Sequence, residues 1–304
     1  MEYRRLGQSD LVTSVIGFGG FPIGRGQYGP FDDDEAIRSI HRAIDLGVTL
    51  VDTAAGYGLG EGEKLVGRAL KGRRDEVLLV SKGSTAPDKM AADLEGSLER
   101  LQTDYLDLYL IHWPDASVPI ADSMGAMAEF QQQGKIRYGG VSNFSAAQLG
   151  ECLETFPIVT EQIGYHLFDQ RPEAELFPFC QEHELGVMAF GPMAHGLLTG
   201  TMTPETTFGE DDFRSRGTVF EQPLFEPEHF LAYLRRVEAL KEAARDRGFT
   251  VAQLALAWVI ANPIVSVALA GTRRPEEIEE NVRAVEWHMT ESERAELTAI
   301  AAGE

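Results

Sequence analysis

Apolar residues in this chain gather into short, nearly unbroken runs, and between the runs they recur at helical spacing. Eight runs read as strands: SVIGF, VTLVD, EVLLVSK, YLDLYLIH, IRYGGVS, IVTEQI, GVMAF and IVSVALA. A strand covered on both faces loses the in-and-out alternation of a half-exposed one, so unbroken runs point to a parallel sheet with helices outside it. Strands alternating with amphipathic helices over 304 residues predict an α/β fold of the (β/α)8 TIM-barrel type, eight-stranded and parallel, as a single domain over 1–304. Two shorter segments, Tyr3 to Leu6 and Leu11 to Thr13, predict an N-terminal β-hairpin that plugs the lower end of the barrel. An extra helix is expected at the C-terminus.

Three stretches need separate reading. TVAQLALAWVIANPIVSVALAG is mostly apolar over about twenty residues, the length of a membrane span. Asn262 and Pro263 interrupt it, so it predicts a buried helix from Thr250 to about Ala261 and a strand from Ile264 to about Leu269. From His195 to about Pro227 the chain is rich in Gly, Thr, Pro and acids, and an irregular segment of that length is expected to be functional or mobile. The run FDDDE suits a helix N-terminus, where carboxylates complement the dipole, better than a cation site.

Four polar side chains fall at or just beyond strand ends. Asp52 closes VTLVD, Tyr57 follows in TAAGYG, Lys82 closes EVLLVSK and His112 closes YLDLYLIH. In a barrel these ends share one rim, so residues distant in sequence meet in one pocket. The set suits carbonyl reduction, in which hydride addition leaves an alkoxide that needs a proton. A phenol can supply it, although its free pKa is ~10. On this reading Lys82 draws the pKa of Tyr57 toward neutrality, Asp52 holds Lys82, and His112 donates a hydrogen bond to the carbonyl oxygen. Singly, each has a plainer explanation: a helix cap for Asp52, packing on Leu59 for Tyr57, a solvated strand end for Lys82, a core histidine for His112. Their shared rim position favours the site.

Around these residues the chain resembles the aldo-keto reductases, of the bacterial type with short substrate loops. VDTAAGYGLGEGEKLVGRAL and LERLQTDYLDLYLIHWPD are followed by GKIRYGGVSNF, VTEQIGYH, VMAFGPMAHGLLTG and AGTRRPEEIEENVRA, all in the family's order. The resemblance implies a TIM barrel that binds a nicotinamide cofactor without a Rossmann fold. No GxGxxG follows an early strand, since Gly17, Gly19 and Gly20 fall in the wrong register. The implied activity is NADP(H)-dependent reduction of aldehydes or ketones to alcohols, with Tyr57 as general acid. The superfamily also holds potassium-channel β subunits, so a cofactor-bound regulatory subunit is the alternative. Carboxylate-pair hydrolysis is disfavoured, because the strand ends supply Lys, Tyr and His.

The same resemblance implies the cofactor contacts. Gly20, Asp52, Ser142, Asn143 and Gln162 belong to them, the last three facing the nicotinamide carboxamide; turn chemistry before a helix cap at Ser145 is the plainer reading of the Ser142 segment. Phe190 stands where Tyr is usual and keeps the stacking ring, whereas Gly191 replaces a common Ser and loses a pyrophosphate contact. Pro192, Met193 and Gly196 also belong to the cofactor contacts, and the segment from His195 to about Pro227 is implied to fold over the cofactor as a lid. Gly271, Thr272, Arg273 and Arg274 precede a helix start at Pro275 that can bind an adenosine phosphate, and Glu280 and Asn281 match the adenine contacts. Lys is common at position 271 and Arg at position 277, here Gly271 and Glu277. Arg273 and Arg274 are expected to grip a 2′-phosphate instead, giving a reduced preference for NADP(H) and leaving NAD(H) usable. Trp113 lines the substrate side with Tyr57 and His112, and Phe21 is expected to face it. A first loop as short as GSTAP implies an open pocket.

Composition adds exclusions. Lys plus Arg number 27 against 48 Asp plus Glu, a net charge of −21. That field disfavours nucleic acid and anionic membranes and leaves a small-molecule carbonyl compound as the expected partner. The only cysteines, Cys152 and Cys180, fit neither a disulfide framework nor a metal-ligand pair. MEYRRLGQSD lacks the apolar core of a signal peptide. Together these predict a cytoplasmic protein with buried free thiols.

Overall fold

The computed structural model describes residues 1–25 and 27–303. Strands β1 (Tyr3–Arg5) and β2 (Val12–Ser14) pair antiparallel. Eight parallel strands then close a barrel: β3 (Ile16–Gly19), β4 (Leu50–Asp52), β5 (Leu78–Gly83), β6 (Leu106–Ile111), β7 (Ile136–Ser142), β8 (Thr160–Gly164), β9 (Gly186–Phe190) and β10 (Val265–Gly271), which returns to pair with β3. Every run read as a strand is one, to within two residues at either end. All six residues of β6 are buried, as unbroken apolarity required.

Two apolar layers hold the barrel. Inside, Leu50, Val80, Leu108, Leu110, Met188 and Val267 fill the lumen, and Leu6 and Leu11 beside the hairpin pack into the same cluster, which makes the hairpin a plug. Outside lie α1 (Asp33–Asp45), α2 (Glu61–Ala69), α3 (Pro87–Leu101), α4 (Ile120–Gln132), α5 (Ala146–Thr155) and α6 (Leu176–Glu182). They continue with α7 (Pro227–Arg245), α8 (Val251–Ile260), α9 (Pro275–Val282) and the expected C-terminal α10 (Glu291–Ala302). Asp32 caps α1 and Asp33, Asp34 and Glu35 fill its first turn, so FDDDE is a helix start.

The apolar stretch near residue 260 resolves as read. Thr250 caps α8 through a capping box with Gln253, all ten helical residues are buried, and Asn262 and Pro263 turn the chain into β10. Trp258 anchors α10 by donating to Thr298 Oγ1 at 3.0 Å. Among the described residues no helix is long and apolar enough to cross a membrane. Cys152 on α5 and Cys180 on α6 are buried and unpaired. Between β9 and α7 the irregular segment carries two 3-10 turns, Ala194–Thr199 and Phe213–Arg216, and a tight turn bridged by Val219 and Gln222. Phe208, Phe213, Phe220 and Phe225 turn inward from it, which ties a polar segment to the barrel.

Candidate active site

Parallel pairing delivers the rim residues to one place. Asp52 ends β4, Lys82 is the penultimate residue of β5, and His112 follows β6. Lys82 is fully buried, and its ammonium donates to Asp52 Oδ1 at 2.7 Å, the Thr53 carbonyl at 2.8 Å and Tyr57 Oη at 3.2 Å. An ammonium has three protons, and all three are engaged. Asp52 Oδ2 accepts from Gln162 Nε2 at 2.9 Å, so Gln162, read as a carboxamide partner, also braces the ion pair from β8. Burial alone would pull the pKa of Lys82 down, but Asp52 and Tyr57 together lift it above its ordinary value and keep it charged.

Tyr57 opens a 3-10 turn, Tyr57–Gly60, in which Gly58 and Leu59 both take left-handed backbone angles. Gly58 has φ +61°, and a Cβ there would come within 2.6 Å of the Arg25 nitrogen. Leu59 is 94 % exposed, which removes the reading of Tyr57 as its packing partner. Instead Phe21 meets Tyr57 edge to face at 5.1 Å. One expectation reverses. Burial raises the phenol pKa above its ordinary value, and the opposing pull of Lys82 does not overcome it, so Tyr57 rests protonated instead of poised near neutrality. Burial and the Lys82 charge lower His112 to about 3, leaving a neutral imidazole.

Around this group opens a cleft of about 550 Å³ that extends to the turn between β10 and α9. Phe21, Asp52, Tyr57, His112, Trp113, Ser142, Asn143, Gln162 and Phe190 line its inner part, and Gly191, Pro192, Met193, Gly196, Gly271, Arg273, Arg274, Glu280 and Asn281 line the remainder. Among the predicted residues three are set back. Lys82 lies behind Asp52 and Tyr57; Gly20 donates its N–H to the Asp52 carbonyl at 2.7 Å, packing against that strand end; and Thr272 turns its hydroxyl to Ser39 Oγ at 2.9 Å, on α1. Phe21 does not face Trp113, because Tyr28, Tyr57 and Phe213 surround its ring, while Trp113 stacks on Phe220 and His112.

Local backbone explains the departures from family pattern. Gly191 has φ +63° and a Cβ there would meet the His195 ring at 2.9 Å, so a side chain at that position would be strained and would have to displace that ring. Ser142 Oγ donates to the Gln162 carbonyl at 2.8 Å, and Asn143 Nδ2 donates to Ser142 Oγ and the His112 carbonyl at 3.0 Å. Ser145 caps α5, so cap and pocket readings coexist. Arg273 donates to the Tyr28 carbonyl at 3.1 Å, and Arg274 pairs with Glu277 at 2.8 Å. Arg214, Arg273 and Arg274 line the cleft against Asp52, Glu277 and Glu280, which makes it neutral in sum on a chain of −21.

Several lining residues escaped the sequence reading: Gln27, Tyr28, His195, Arg214 and Phe220. Phe220 stacks on His195 at 4.8 Å and lies 5.1 Å from Phe190, roofing a pocket expected to be open; Trp113 stays 48 % exposed at its edge. Arg171 holds this roof by pairing with Glu221 at 3.0 Å. The signal was present in four phenylalanines set in a polar segment.

The residues present fit a nicotinamide dinucleotide. A backbone-lined floor at Gly191 to Met193, an aromatic ring at Phe190, and a helix N-terminus with two arginines suit its ring, pyrophosphate and adenosine phosphate. A parallel barrel with a phenol, an ammonium, a carboxylate and a neutral imidazole on its C-terminal rim, opening on such a cleft, defines a barrel oxidoreductase. The chain belongs to the aldo/keto reductase family, whose profile matches residues 15–302. It is 36 % identical to the aldo-keto reductase YhdN of Bacillus subtilis, over 99 % of this chain and 93 % of that protein. The glycerol dehydrogenase of Gluconobacter oxydans superposes with a TM-score of 0.89 at 34 % identity, covering 99 % of this chain and 95 % of that one. An aldo/keto reductase from Klebsiella pneumoniae in complex with NADP and acetate gives 0.78 at 31 % identity, covering 98 % and 95 %.

Proposed function

We propose that this protein reduces aldehyde or ketone carbonyls to alcohols at the expense of NADPH, with Tyr57 as the proton donor. The observation that carries the reading is the Lys82 ammonium, fully buried and shared between Asp52 at 2.7 Å and the Tyr57 hydroxyl at 3.2 Å. Bound in the cleft, the nicotinamide supplies the hydride. The carbonyl oxygen gains negative charge as the hydride arrives, and Tyr57 and His112 are two donors on the pocket wall that can meet it. His112, lowered to about 3, is neutral at physiological pH and serves as a hydrogen-bond donor, not as the acid. Tyr57, held protonated by burial, gives up its proton, and the phenolate that forms lies beside a fixed cation. Lys82 therefore acts on the product of the proton transfer more than on the resting phenol. Asp52 and Gln162 keep the ammonium from swinging away.

NADP(H) is the proposed cofactor, supported by Arg273 and Arg274 on the cleft wall and by the NADP bound to the Klebsiella relative; NAD(H) is accepted less well. We place the single-domain protein in the cytoplasm on its two buried free thiols. Tyr57→Phe removes one hydroxyl and should lower kcat for a simple aldehyde by about 10²–10⁴-fold while NADPH binding, read by fluorescence, stays within a few-fold. Near-parental turnover by this variant would remove Tyr57 from the role. A parent that binds NADPH yet turns over no aldehyde or ketone would favour a cofactor-bound regulatory subunit.

A further inference from the structure

Val219 and Gln222 exchange both backbone hydrogen bonds, at 2.8 and 2.9 Å, so Phe220 and Glu221 form a two-residue hairpin turn at the cleft. Both have left-handed backbone angles, φ +48° and +66°. Such a turn is normally made by Asn-Gly or Gly-Gly, because bulkier side chains are strained in it. Strain of this kind persists only where surrounding groups enforce it. Arg171 does so from the β8–α6 connection. Asp169, itself buried, holds its Nε and Nη2 at 2.8 Å, and the guanidinium then donates to Glu221 Oε2 at 3.0 Å and to the Phe220 carbonyl at 3.3 Å. Neither Arg171 nor Glu221 lines the cleft. What the turn delivers there is the Phe220 ring, nearly parallel to Trp113 at 6.1 Å and to His195 at 4.8 Å.

We infer that Arg171 is a positioning residue for the substrate end of the cleft: it clasps the strained turn so that Phe220 and Trp113 together present one flat aromatic wall. This rests on the reading of the cleft as a carbonyl-reducing site. Trp113 stacks in turn on His112, so the wall begins beside a proposed donor to the carbonyl oxygen. A carbonyl compound with a planar apolar substituent can lay it on this wall, whereas a short aliphatic aldehyde has little surface to offer it. The pair of Arg171 with Glu221 is too exposed to stabilise much by its charge alone, since solvent screens it. The clasp works through geometry, with Asp169 fixing the guanidinium where the Phe220 carbonyl can reach it. With no glycine in the turn, Phe220 and Glu221 relax toward negative φ once Arg171 is removed, and the ring leaves the wall.

The test pairs Arg171→Ala with Glu221→Gly, since glycine takes φ +66° without strain and lets the turn close unaided. Trp258 and Trp287 are buried and Trp113 is 48 % exposed, so acrylamide quenching of tryptophan fluorescence in the whole, cofactor-free protein reports mainly on the wall. Arg171→Ala should raise the quenching constant about twofold, as should Phe220→Ala, and adding Glu221→Gly to Arg171→Ala should return it to the parental value. Thermal melts establish that each variant is folded. In steady-state turnover with NADPH, Arg171→Ala should raise KM for benzaldehyde about fivefold with kcat and the constants for propanal within about twofold, and the double variant should restore benzaldehyde. Parental quenching and KM in Arg171→Ala, or equal losses in the single and double variants, would overturn the role of Arg171. A parent that turns over neither aldehyde, with the quenching changes as expected, would overturn the carbonyl-reduction reading and leave the clasp standing.

Discussion

Two buried carboxyl groups, Asp52 and Glu161, lie on opposite sides of the same barrel wall. Asp52 faces the lumen, where Lys82 and Gln162 occupy its two oxygens. Glu161 neighbours Gln162 on β8 and so points the other way, toward the helices that carry Cys152 and Cys180. Its Oε1 accepts the Phe144 N–H at 3.1 Å, its Oε2 has no partner, and no cation is among the groups that set its pKa. Burial raises the pKa of both, but only Asp52 has a cation to oppose the rise. The wall therefore separates a carboxylate kept for its charge from a carboxyl that folds as a neutral acid. The same degree of burial gives an ion-paired carboxylate on one side and a carboxyl without a cation on the other, and the partner decides which.

The strongest way to break this contrast is Lys82→Met, which keeps most of the stem and leaves Asp52 as bare as Glu161. Asp52 should then take up a proton, and the phenolate formed at Tyr57 would lose its cation. We expect kcat to fall by about 10²–10⁴-fold and unfolding free energy by about 3–5 kcal/mol, read by steady-state kinetics and denaturant melts. Parental rates and stability in this variant would show that the ion pair contributes nothing.

A smaller effect is expected on the other side of the wall. An acid whose folded pKa exceeds its unfolded one binds a proton on folding, so its contribution to stability declines as pH rises from the ordinary Glu value of ~4.3 toward the raised one. Glu161→Gln does not titrate. Between pH 5 and pH 8 the parent should lose roughly 1–3 kcal/mol more stability than the variant. Parallel stability curves would mean that Glu161 is ionised in the folded protein, and the contrast with Asp52 would fall.

The unequal legibility of the molecule in its sequence has the same origin. Strands buried on both faces leave an unbroken apolar signature, so the barrel, its order and the rim positions of Asp52, Lys82 and His112 could be read directly. The direction of the Thr272 hydroxyl was not legible because a residue beside a phosphate-suited turn can face either the cleft or the helix layer, and Ser39, distant in sequence, decides it. The roof was missed for a related reason. Phe220 and Glu221 adopt φ of +48° and +66°, conformations that those residue types do not announce, and Arg171 from the β8–α6 connection helps hold them. The titration state of Tyr57 was misjudged because sequence shows the neighbouring lysine but not the depth of burial that outweighs it.

Whether a protonated Tyr57 or His112 is the acid is decided by the pH dependence of kcat/KM for aldehyde reduction at saturating NADPH, from pH 5 to pH 11. His112, at about 3, is already neutral across this range, and Tyr57, raised above the ordinary phenol value of ~10, keeps its proton until the alkaline end. The rate should stay level through neutrality and fall only as Tyr57 deprotonates. A decline through pH 6 to 7 that disappears in His112→Gln would make the imidazolium the proton donor and contradict the account.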